Sequence, residues 1–320
     1  MMRWHKRGKI FDPTEHALPH GCREFAQAPQ ALVCEDFVRI YFSTRELEAG
    51  TGKYLSHVVY VDMDKDFSRI REVSQHQVIP LGKLGTFDEH GIFPMNVLRH
   101  EGRIYGYTSG VNRRSSVPVD GAIGLAFSSD EGRTFQRAGD GPVLAPSLQE
   151  PCIVVDPFTL HAEGRFHMWY VFGRGWKHSQ DTVSPSRVYK IGHAVSNDGI
   201  EWTKEDGRQI LPNRLADDEC QALPTVARIG GEYHMFFCYR QASDFRTNPT
   251  RSYRIGHARS RDLVDWVRDD EHLVLQPTPG SWDSDMLCYP HIFECEGRLH
   301  MLYNGNAFGR YGFGLATLEA

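Results

Sequence analysis

Apolar and polar positions along this chain alternate in short runs bounded by Gly, Asp and Asn, and nowhere do they keep the 3.6-residue period of an amphipathic helix. The pattern predicts strands joined by tight turns. The runs also recur. Aligned on proline, Ala28-Pro29-Gln30, Phe93-Pro94-Met95, Asp156-Pro157-Phe158, Leu223-Pro224-Thr225 and Tyr289-Pro290-His291 follow one another at 65, 63, 67 and 66 residues. Thirteen residues beyond each proline stands an aromatic: Phe42, Tyr107, Tyr170, Phe237 and Tyr303.

Each unit reads as a short apolar strand after the proline, a turn such as Glu163-Gly164, and an aromatic-rich second strand. A third strand follows, as in Ile123–Ser128, Ile191–Ser196, Ile255–Ser260 and Phe313–Thr317, with Leu55–Val61 as the degenerate member. Turns such as Ser128-Ser-Asp-Glu-Gly-Arg-Thr-Phe135 then lead to an aromatic that opens a fourth strand. Five four-stranded antiparallel units at a fixed period predict an all-β, five-bladed β-propeller occupying residues 1–320 as one domain. The stretch Trp4–Phe11 is expected to supply the outer strand of the last blade and close the ring.

Composition narrows the function. With 36 Lys and Arg against 41 Asp and Glu, the net charge is −5, which argues against nucleic acid as a partner. No apolar run has the length of a signal peptide or a membrane span, so no membrane partner and a cytoplasmic location are expected. Seven cysteines without a Cys-x-x-Cys suggest buried thiols, not a disulfide framework or a zinc knuckle. No redox cofactor is implied, and Asp12-Pro13 is read as a turn.

A propeller carrying Asp156-Pro-Phe-Thr-Leu-His-Ala-Glu-Gly-Arg-Phe-His-Met-Trp-Tyr170 resembles the furanosidase-type glycoside hydrolases: the arabinanase and xylosidase group (family 43), the invertases and levansucrases, and the mannoside phosphorylases. The resemblance implies three carboxylates at the mouth of a central channel, and Asp156 matches the one that tunes its neighbours. Ala28 occupies the place of the usual base, and Glu219 is the nearest candidate for the acid. The resemblance also leaves room for a central-channel cation such as calcium, although no ligand spacing demands a metal.

Strand parity supplies an independent reading. Counting five residues back from each proline gives Glu24, Glu89, Cys152, Glu219 and Asp285, four acids of five. With Asp156 they predict a carboxylate ring at the channel entrance, if extension continues through the proline. Glycoside hydrolysis needs one carboxyl kept protonated and one ionised. Glu219 is therefore expected as general acid, Asp156 as its neighbour in charge, and Glu24 or Glu89 as base. Arg45, Arg174 and Arg240 could grip substrate hydroxyls or phosphate, while Asp285, His90, His291, Trp282 and Tyr289 are further candidates for a carbohydrate site. His193 and His257, at equivalent third-strand positions, read as structural. The leading expectation is an inverting glycoside hydrolase; a phosphorylase or a sugar-binding propeller without catalysis are the alternatives.

Overall fold

The computed structural model describes residues 1–178 and 184–319. Five antiparallel meanders follow one another at the period of the prolines. Sheet 1 comprises Gln27–Val33, Phe37–Leu47, Tyr54–Asp64 and Ile70–Val73, and sheet 2 Gly91–His100, Arg103–Arg113, Val119–Ser128 and Gln136–Arg137. Sheet 3 comprises Cys152–Ala162, Arg165–Lys177, Ser186–Ser196 and Thr203–Lys204, and sheet 4 Cys220–Ile229, Glu232–Arg240, Arg254–Ser260 and Val267–Arg268. Sheet 5 runs Cys288–Cys295, Arg298–Asn304 and Phe313–Leu318, and its fourth strand is the N-terminal Met2–Phe11, with Trp4 opposite Leu318. Leu273–Val274 adds a short parallel strand outside it. Among the described residues there is no α-helix, only 3₁₀ turns. A single parallel bridge, Ser56 to Gly91, joins sheets 1 and 2.

The hydrophobic period explains the packing. Four apolar clusters among the described residues each fill the gap between two neighbouring sheets, as Ile40 and Phe42 do against Phe11 and Phe313 between sheets 1 and 5, and a fifth fills the gap between sheets 3 and 4 and extends to Ala28 of sheet 1 and Tyr289 of sheet 5. The five repeat aromatics, Phe42, Tyr107, Tyr170, Phe237 and Tyr303, are at most 1% exposed. Each such side chain contributes roughly 1.5–3 kcal/mol by leaving water. First strands also touch in cyclic order, with that of sheet 5 against that of sheet 1. Side chains stitch them: the Ala28 backbone N–H donates to Asn304 Oδ1 at 2.8 Å, and Asn96 bridges Gln30 and the Thr159 backbone N–H.

The Asp-containing turns are folding devices. Asp130 accepts from the Thr134 backbone N–H and hydroxyl, at 2.9 and 2.6 Å, and Ser128 Oγ from the Gly132 backbone N–H at 2.9 Å. Asp198 and Asp262 hold the equivalent turns of sheets 3 and 4. His167–His193 and His234–His257 form matching 3.0 Å contacts between second and third strands, so the two third-strand histidines are structural. All seven cysteines are free thiols.

Candidate active site

Every first strand breaks its register at the proline: Gln27/Gln30, Ile92/Met95, Val155/Phe158, Ala222/Thr225 and Cys288/His291. In four of the five the residue before proline is left-handed: Ala28 at φ 50°, Asp156 at 54°, Leu223 at 47° and Tyr289 at 57°. A non-glycine residue held there costs on the order of 1 kcal/mol or more, and such strain collects at functional sites. The bulge also ends the period-two count. Positions one and five before proline do not lie on one extended face, which separates Asp156 from the acids predicted to ring it.

Among the described residues no second carboxylate acts on Asp156. It is 8% exposed, and its backbone N–H donates to Ser109 Oγ at 2.7 Å. Burial pushes its carboxyl up to about 7, against which the charge of Arg187 and the Leu223 backbone N–H work only in part. Through Arg187 it is linked to a cluster of aromatics and cations that the sheets bring together. The Tyr189 and Tyr253 hydroxyls hydrogen-bond to each other, and Tyr289 packs against Tyr253 and Phe93 at ring separations of 5.7 and 5.6 Å. Arg240, 3% exposed, lies 3.5 Å over Phe245 and donates to the Gln241 carbonyl.

Three further guanidiniums complete the cluster: Arg45, Arg187 and Arg246. None makes a hydrogen bond or ion pair with another described residue, and the buried Arg45 Nε has no partner. Desolvation first, then repulsion from Arg187 and from each other's neighbourhood, holds Arg45 and Arg246 below the ordinary guanidinium range. Two like charges about 6 Å apart repel by on the order of 3 kcal/mol at a protein's effective dielectric. An arrangement of this kind works against folding, and an anion among the three relieves it.

The other predicted residues are elsewhere or engaged. Glu219 is fully buried and accepts from four donors: the Arg214 and Leu215 backbone N–H groups at 2.8 and 2.9 Å, Gln221 Nε2 at 2.9 Å and Arg268 Nη1 at 2.5 Å. It anchors the loop before sheet 4. Glu24 is paired with Arg310 at 2.8 Å, and Glu89 accepts from the Gly85 backbone N–H at 2.9 Å. Asp285 is exposed and takes the Ser284 hydroxyl, while His90 Nδ1 faces the Arg113 backbone N–H. Exposed Arg174 donates to the Gly207 carbonyl and lies over Phe172, and Trp282 stacks on Tyr303 and fills the space above Gly305 and Gly314. Of the sequence-predicted residues, Asp156, Arg45, Arg240 and Tyr289 thus come together.

Arg187 and Arg246 escaped the sequence reading, as did the tyrosine pair. Aligning sheets 3 and 4 on Ile191-Gly-His193 and Ile255-Gly-His257 would have found the pair, because Tyr189 and Tyr253 fall at the same offset. His291 is buried with both ring nitrogens unpartnered between Phe158 and Phe293, and burial pushes it down to about 3. No described carboxylate bears on it. Calcium takes six to eight oxygen ligands, so this neutral imidazole among aromatics does not fit that ion.

No protein-family model matches the chain. The uncharacterized protein Rv1502 of Mycobacterium tuberculosis (strain ATCC 25618 / H37Rv) is 33% identical over 319 residues, 99% of this chain and 100% of that protein. This chain belongs to the Rv1502 family. A second similarity links this Rv1502-family protein to the 1,2-beta-oligomannan phosphorylase of Thermoanaerobacter sp. (strain X514), at 28% identity over 139 residues, 42% of this chain and 44% of that one. Among solved structures, a member of the GH130 family of mannoside phosphorylases, in work on hydrolases of β-1,2 mannosidic linkages, superposes at TM-score 0.69 with 13% identity, covering 98% of this chain and 93% of that one. A thermostable family-43 glycoside hydrolase does so at 0.63 with 16% identity, covering 92% and 88%. The Rv1502-family fold is that of these five-bladed propeller glycoside hydrolases and phosphorylases.

Proposed function

We propose that this protein is an inverting glycoside phosphorylase whose blades close into a complete five-bladed ring. Asp156 is the proton donor, and Arg45, Arg187 and Arg246 hold inorganic phosphate. One observation carries the reading: among the described residues the cluster contains a single buried carboxyl, raised to about 7, beside guanidiniums that rest on aromatic rings but make no hydrogen bond or ion pair with a described residue. Hydrolysis asks for a second carboxylate with free lone pairs to activate water. Phosphate brings its own nucleophilic oxygen and needs cations instead.

In the reaction, the Asp156 carboxyl passes its proton to the glycosidic oxygen as the bond from that oxygen to the anomeric carbon breaks. A phosphate oxygen, held on the opposite face by the arginines, forms the new bond to that carbon. The products are a glycosyl 1-phosphate and the free alcohol, and Asp156 regains its proton from solvent. Tyr289 and Phe93 offer a wall against which a sugar ring can lie. A cytoplasmic location, where inorganic phosphate is abundant, suits this chemistry.

The similarity to an oligomannan phosphorylase makes a 1,2-β-oligomannan the first substrate to try. The protein is incubated with it with and without inorganic phosphate, and sugar 1-phosphate and free sugar are measured. Phosphate-dependent sugar 1-phosphate supports the proposal. Free sugar released equally without phosphate replaces it with hydrolysis, and saturable binding without turnover of any glycoside replaces it with a sugar-binding propeller.

A further inference from the structure

On the face of sheet 1 opposite to Arg45, three side chains converge. Glu46 and His57 lie on adjacent strands of sheet 1, with Thr44 opposite His57, so both project from the face opposite to Arg45. His20 comes from the turn Pro19–Gly21 in the segment that leads from the N-terminal strand into sheet 1, and it is left-handed at φ 58°. One potential ligand atom from each lies within 4.8 Å of the other two. His57 Nε2 is 2.9 Å and His20 Nδ1 3.5 Å from the same Glu46 Oε2.

The hydrogen bonds leave an electrostatic gap. His20 Nε2 stands 2.9 Å from Gln77 Oε1, an acceptor, which places the ring proton on Nε2. Nδ1 then faces a carboxylate oxygen at 3.5 Å, a place that a bound cation can fill in exchange for a proton. Four-coordinate zinc, with bonds of about 2.0–2.2 Å, sets its ligands roughly 3.3–3.5 Å apart, close to the separations here. A histidine ligand whose other nitrogen is held by an acceptor is the usual outer-shell arrangement, and Gln77 supplies it.

We propose that His20, Glu46 and His57 bind a divalent transition ion of the zinc class, clamping the N-terminal segment onto sheet 1. Two imidazoles and one carboxylate suit that class better than calcium or magnesium. The rings stack at 4.1 Å and 12°. Exposed His20, on a turn and not in a strand, already directs Nδ1 toward Glu46 while Gln77 holds Nε2, and water takes the fourth position.

The test uses the full chain, stripped with chelator and titrated with zinc, with cobalt as a spectroscopic substitute. One equivalent binds, the melting temperature rises, and cobalt gives the visible absorption of a low-coordinate nitrogen–oxygen site. H20A and E46Q, at positions open to solvent, lower zinc affinity at least tenfold while their metal-free melting curves match the parent. Failure of the parent to take up an equivalent at 100 μM zinc, or uptake unchanged in either variant, overturns the proposal. The parent's cobalt spectrum keeps the test decisive should a variant fold poorly.

Discussion

Asp156 and Glu219 are both buried carboxyls beside the first strands of neighbouring sheets, and they live in opposite circumstances. Glu219 is met by four donors, including Arg268, itself locked to Asp270 at 3.0 Å. Asp156 has been desolvated without comparable payment in hydrogen bonds, and its carboxyl has risen to about 7. The first arrangement spends its lone pairs on holding a loop. The second keeps a proton available near neutrality, which is what an acid catalyst requires.

Breaking the second arrangement has the largest expected effect. D156N removes the proton donor, and turnover with phosphate falls by on the order of 10²–10⁴-fold while the fold is retained; turnover within threefold of the parent removes Asp156 from the mechanism. Next comes pH. The folded pKa lies above the unfolded value near 3.9, so the stability tied to neutral Asp156 is fully present below about pH 4 and is lost as pH rises through about 7. Over that range the loss reaches about 4 kcal/mol, and denaturant titrations of D156N show it flattened. Turnover likewise declines as pH passes 7.

E219Q sharpens the comparison from the other side. Removing the charge from a fully buried pair costs about 3 kcal/mol, read as a lower unfolding midpoint, with turnover per folded molecule little changed. Smaller again is R187A, which raises the KM for phosphate by roughly 10- to 100-fold, the equivalent of about 1.5–3 kcal/mol for a charged hydrogen bond, in initial-rate kinetics. Smallest is R174A. Its exposed side chain meets the Gly207 carbonyl and the Phe172 ring, and stability should stay within about 0.5 kcal/mol with the KM for phosphate unmoved.

The repeat was readable because burial imposes it: an aromatic thirteen residues past each proline is buried between neighbouring sheets in every unit. The site was less readable because one backbone feature intervenes. Left-handed Ala28, Asp156, Leu223 and Tyr289 bulge each strand just where the parity count has to pass through. Glu24 and Glu89 consequently land in loops, tied to Arg310 and to the Gly85 backbone. Arg246 carried no repeat signal, since it sits in the loop after sheet 4's second strand. Arg45 and Arg240 were found because they occupy a matching offset at the ends of second strands.

The pairing of Met2–Phe11 with Phe313–Leu318 gives the chain a timetable. At a ribosomal pace of about 5–20 residues per second, this strand waits roughly 15–60 seconds for a partner made about 300 residues later. A lone amphipathic strand in that interval is a template for chance pairing with other chains. Its sequence guards against this: Arg3, His5, Arg7 and Lys9 alternate along the face left toward solvent in the finished sheet, and such edge cations repel a second strand. Replacing them with threonine would leave the folded sheet intact and expose the nascent chain to aggregation.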